Sequence, residues 1–105
     1  MQELNQERRN NMPRVLIVED EKDISELMSL HLKREGHEVS IVDNGEEALK
    51  LIERNGYQLL VLDWMLPGLP GLEICKKIRA EYKDVKGQMP ILMVTARAQI
   101  GRAHV

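Results

Sequence analysis

Four short apolar runs divide the chain: RVLIV at residues 14–18, EVSIV at 38–42, LLVL at 59–62 and ILMV at 91–94. Three of them are nearly continuous in Val, Ile, Leu and Met, the pattern of strands buried on both faces rather than one. The second alternates weakly. Between the runs lie segments with apolar residues at helical spacing, so the order is β-α-β-α-β-α-β. That alternation predicts an α/β fold: a doubly wound parallel sheet with helices on both faces and right-handed crossovers.

The helical segments carry their own boundary signals. Ile24, Leu27, Met28, His31 and Leu32 follow an i, i+3, i+4, i+7, i+8 stripe, which predicts one amphipathic face. Gly36 stands where a left-handed C-cap belongs. Asn44 is placed to cap the next helix with Glu47 at the capping-box position. Ala48, Leu49 and Ile52 form that helix's expected buried face, and Asn55-Gly56 ends it. In the third helix the expected buried repeat is Leu72, Cys75 and Ile78.

With 105 residues the chain is the size of one domain. Aromatic residues make up 3% of it and Phe is absent, so the core has to be aliphatic and methionine-rich. A net charge of −2 gives no basic face of the kind a nucleic-acid groove needs. Cys75 has no second cysteine to pair with, which suits a reducing, cytoplasmic setting and excludes an internal disulfide. No apolar stretch approaches the roughly 20 residues of a membrane span. Residues 1–12 read as a polar extension, and residues 98–105 as an unassigned tail set aside from the fold.

The chemistry collects at the strand ends. In open α/β sheets, ligands bind beyond the carboxyl ends of the strands, where the strand order reverses. Glu19 and Asp20 follow the first strand, Asp63 ends the third and Thr95 follows the fourth. If those three strands are neighbours, one rim holds all four residues. Carboxylates that close repel each other, and a bound cation relieves the repulsion. Oxygen ligands with no His or Cys nearby in sequence favour Mg²⁺ over Zn²⁺. A carboxylate beside such an ion is a candidate nucleophile toward phosphorus, and a threonine hydroxyl a candidate donor to a phosphoryl oxygen. Each residue taken alone reads as a helix cap or a solvated loop residue; the four together favour the functional reading.

The segments VLIVEDE, VLDWMLPGLPGLE and ILMVTAR, in this order and spacing, resemble the receiver domain of bacterial two-component response regulators. The MLPG-x-x-G-x-E portion is most similar to the subfamily with a winged-helix DNA-binding output domain. The resemblance covers residues 13–97 and implies a flavodoxin-like receiver fold. It implies that Asp63 is the phosphoacceptor, served by a histidine kinase. Asp20 would then bind Mg²⁺ directly, Glu19 indirectly, and Met65 through its backbone carbonyl. Thr95 would be the switch hydroxyl, and Trp64 a loop side chain beside the site. Pro67 and Gly68 would shape the loop as a type II turn.

The same resemblance calls for a fifth strand ending in a lysine and for further helices, so an incomplete receiver is expected here. Its fourth strand would be an exposed edge, which favours self-association through that edge. The competing reading is therefore a phosphorylation-incompetent truncated receiver that acts only as an interaction or dimerising fragment. An aspartate-nucleophile phosphohydrolase ranks lower, because the position two after Asp63 is Met65 rather than an acid. The seven glycines make neither GxGxxG nor GxxxxGK. No stand-alone enzyme is expected: members of such a family catalyse only their own phosphoryl transfer and dephosphorylation. Contact with DNA is expected through an output domain outside this chain, not through the chain itself.

Overall fold

The computed structural model describes residues 13–82 and 88–94. Its elements follow the expected alternation: β1 (Arg14–Val18), α1 (Lys22–Arg34), β2 (Glu38–Val42), α2 (Gly45–Arg54), β3 (Leu59–Asp63), α3 (Gly71–Glu81) and β4 (Ile91–Val94). The strands form one sheet in the order β2-β1-β3-β4, and every pairing is parallel. The first crossover runs outward from β1 to β2, and the next returns past β1 to β3. The strand order therefore reverses between β1 and β3.

Strand residues alternate between two faces. Leu16, Val18, Leu60 and Leu62 join Ala48 and Ile52 of α2 and Ile74 and Ile78 of α3 in the larger core. Val15, Ile17 and Val61 form a smaller cluster on the other face, where Met28 and Leu32 of α1 pack against them. Burying a side chain of this size is worth about 1.5–3 kcal/mol, so the face covered by α2 and α3 contributes most of the hydrophobic stabilisation.

The helix ends form as their residues dictate. Asn44 accepts a hydrogen bond from the Glu47 N–H at 2.9 Å. Gly36 has φ +94°. The N–H of His37 donates to the Leu32 carbonyl, and that of Gly36 to the Lys33 carbonyl, the paired bonds of a Schellman cap.

Two expected helix faces are corrected. On α1 the buried residues are Ser25 and Ser29, whereas Leu27 is 57% exposed and His31 lies on the surface. The helix leans on the sheet through Met28 and Leu32, with the two serines on that same i, i+3, i+4, i+7 face, and Leu27 stays in solvent. On α3 the buried residues are Gly71, Ile74 and Ile78, while Leu72 is exposed and Cys75 half-buried. The i, i+4 pair Ile74 and Ile78 fills the core, and Leu72 is turned outward beside the loop that precedes the helix.

Candidate functional site

β1 and β3 are register partners through Val18 and Leu62. The residues that follow them in sequence therefore emerge side by side, beyond the sheet where the order reverses. Glu19 and Asp63 are buried, at 3% and 2% exposure, and Asp20 is half-buried. One carboxylate oxygen from each of the three lies within 4.8 Å of the other two. Three of the four residues expected at the strand ends are thus brought together.

Backbone groups fix two of these carboxylates. The Glu21 N–H donates to Glu19 Oε2 at 2.8 Å, and the Met65 N–H donates to Asp63 Oδ1 at 3.0 Å. Main-chain bonds extend the sheet past both residues: Glu19 N–H to the Val42 carbonyl at 3.0 Å, and Trp64 N–H to the Val94 carbonyl at 3.3 Å. The carboxylates thus stand on backbone continuous with the ladder.

Electrostatics are unfavourable without a cation. Burial raises the pKa of Glu19 from 4.5 to about 7, against the opposing pull of the Glu21 N–H. The charge of Asp63 and hydrogen bonding to Asp20 and Asp63 push it the same way as burial. Three buried or half-buried oxygen donors that crowd their negative charge fit a hard divalent ion. Mg²⁺ suits such a set, since it binds one or two carboxylates and keeps several waters. A cleft of about 520 Å³ opens beside Glu19 and Asp20 and is bordered by Lys22, Asp43 and Glu47, on the side of the cluster away from Asp63's own strand.

The loop after Asp63 is folded onto the protein. Leu66 is buried in the core, Gly68 has φ +79° as a type II turn requires, and Trp64 and Met65 are about half exposed. Thr95 lies outside the described residues.

Residues 15–104 match the family model for the response regulator receiver domain. The chain belongs to that family. It is 42% identical over 86 residues to the sensory transduction protein RegX3 of Mycolicibacterium smegmatis, covering 82% of this chain and 36% of that protein. Against the phosphate regulon transcriptional regulatory protein PhoB of Rhizobium meliloti it is 39% identical over 88 residues, 84% of this chain and 38% of that one. This receiver chain therefore spans little more than a third of the curated relatives it matches. Among solved structures, the receiver domain of the Pseudomonas aeruginosa sensor histidine kinase PA1611 superposes with TM-score 0.75 and 29% identity, over 89% of this chain and 75% of that one. That structure has a magnesium ion coordinated in its active-site cleft. The fold is the flavodoxin-like receiver fold, with four of its parallel strands and three helices among the described residues.

One feature of the site escapes sequence patterning. Gly71 begins α3 with its Cα against the backbone of Trp64 and Asp63. The doubled Leu-Pro-Gly of residues 66–71 signals a turn, but not which glycine meets the strand end.

Proposed function

We propose that this receiver domain takes a phosphoryl group from a histidine kinase onto Asp63 with Mg²⁺ bound, and relays the change to a DNA-binding output domain outside the chain. The observation that carries the reading is the cluster of Glu19, Asp20 and Asp63, held within 4.8 Å at the point of strand reversal. The family membership and the magnesium-bound relative support it. Domain bounds of 13–97, with a polar extension before and a tail after, belong to the same proposal, as does a cytoplasmic location. Among the described residues no helix is long and apolar enough to cross a membrane.

In this reading Asp20 and Asp63 would hold the ion through their carboxylates, Met65 through its carbonyl, and Glu19 at second hand. An ion held there would supply positive charge to offset that of the incoming phosphoryl oxygens. A carboxylate oxygen of Asp63 attacks phosphorus, an O–P bond forms, and the P–N bond to the kinase histidine breaks. The Met65 N–H holds Oδ1 and so orients the carboxylate. Thr95 donates its hydroxyl to a phosphoryl oxygen as the switch residue.

The test is intact mass after incubation with acetyl phosphate, with and without Mg²⁺, beside an Asp63→Ala control. A Mg²⁺-dependent phosphoryl adduct that the control lacks is expected. Its absence from a folded sample overturns the reading.

A second reading, an interaction fragment that is not phosphorylated, draws on β4. This strand is an edge among the described residues, and Leu92 and Met93 are 53% and 37% exposed. An apolar edge of this kind pairs readily with another chain, here a second copy.

A further inference from the structure

We propose that Gly71 is a positioning residue for the metal and phosphoacceptor site, fixing the backbone of residues 63–65 by letting the first turn of α3 lie directly against it. This inference rests on the Mg²⁺ site argued above and deepens it.

A Cβ at Gly71 would run into the Trp64 Cα, and would come within 2.8 Å of the Asp63 carbonyl oxygen and 3.1 Å of the Trp64 Cβ. Two of these three neighbours are main-chain atoms, which cannot swing aside as a side-chain end can. The contact is also bonded: the Gly71 N–H donates to the Trp64 carbonyl at 3.2 Å. Gly71 is buried, so water does not substitute freely for that carbonyl.

The far side of the same helical turn is seated as firmly. A Cβ on Gly45 would sit 2.6 Å from the Cδ1 of Ile74, which has no exposure, and 3.2 Å from the Leu69 Cβ. α3 is thereby held between α2 and the loop. A side chain at Gly71 cannot be absorbed by sliding the helix toward α2, because Ile74 already fills that space. The displacement has to pass into residues 63–65, where the Met65 N–H holds Asp63 Oδ1 and the Met65 carbonyl is the proposed ligand. Gly68, by contrast, has open space around its missing Cβ, and its positive φ serves the turn alone.

The test compares Mg²⁺ affinity in the 105-residue wild type, Gly71→Ala and Ile78→Val, each at a temperature where circular dichroism shows it folded. Ile78→Val weakens α3 packing away from the loop. The expected result is Mg²⁺ binding weakened on the order of 10- to 100-fold in Gly71→Ala, the usual effect of disturbing groups that orient metal ligands, and unchanged in Ile78→Val. Equal affinity in folded Gly71→Ala and wild type overturns the inference while leaving the metal site standing. A wild type that binds no Mg²⁺ overturns the metal site and the inference with it.

Amide hydrogen exchange on the wild type decides the matter if Gly71→Ala does not fold. When Mg²⁺ binds only with the Gly71–Trp64 bond closed, saturation at a hundred times Kd slows exchange at the Gly71 N–H about 100-fold. The Asn55 N–H, bonded to Leu51 at the far end of α2, is expected to keep its rate. A Gly71 rate indifferent to Mg²⁺, or one that merely tracks the core amide of Leu16, overturns the inference.

Discussion

The Met65 N–H reaches back 3.0 Å to Oδ1 of Asp63, so the residue after next in the chain aims the carboxylate that ends β3. Asp63→Asn keeps that acceptor and removes the charge. Phosphorylation by acetyl phosphate is expected to disappear. The metal-free protein is expected to become more stable, because the Asp63 charge that opposes ionisation of the buried Glu19 is gone. Urea denaturation without metal checks this, and a lower midpoint would contradict it.

Glu19 gives the metal-free protein a pH dependence of definite sign. With its pKa raised from 4.5 to about 7, the folded state keeps a proton that the unfolded chain releases between those values. Its contribution to stability is fully present below pH 4.5, declines as pH rises, and is lost above about 7. Denaturation midpoints measured without metal at pH 5 and pH 8 are expected to show the decline, and Glu19→Gln to flatten it. Mg²⁺ competes with the same proton, so its affinity is expected to rise with pH toward 7.

Trp64 is the chain's one tryptophan, half exposed and adjacent to Asp63. Its fluorescence is expected to change saturably as Mg²⁺ is added, and Asp20→Ala to abolish the change. A Mg²⁺ response that survives Asp20→Ala would place the ion elsewhere.

Ile74 has no exposure and joins α3 to the larger core. Ile74→Ala is expected to cost about 2–5 kcal/mol, a large share of the stability of a small domain. Asn44→Ala, which removes the cap on the Glu47 N–H, is expected to cost about 1 kcal/mol. Calorimetry or urea unfolding ranks the two.

Leu92 is exposed on the β4 edge. If a second copy pairs there, Leu92→Lys is expected to shift the chain toward monomer in sedimentation while barely altering its unfolding midpoint. An unchanged mass distribution would argue against the edge as the contact.

Strand positions were legible because both faces of β1 and β3 are buried, which leaves runs such as Val15–Val18 with no polar interruption. The acids stood out for the same reason, each one stopping an apolar run at its carboxyl end. The helix faces were less legible. On α1 the protein buries Ser25 and Ser29 beside Met28 and Leu32 and exposes Leu27. Periodicity reports hydrophobicity and passes over a buried serine. The contact of Gly71 with Trp64 was hidden too, since it joins backbone to backbone and leaves no side-chain pattern. Thr95, read from its place after β4, lies outside the described residues.

The pairing of β1 with β3 also bears on how the protein folds. Arg14 and Gln58 bond across that pairing although 44 residues separate them, and a whole α-β-α excursion must be laid down between the two strands. Contacts this distant in the chain form late and slowly, because loop closure has to be met before they repay it. Asp20 and Asp63 meet only when this pairing is in register. In a refolding experiment, Mg²⁺ affinity is therefore expected to appear after helical signal has recovered, so that competence for the ion marks the completion of folding.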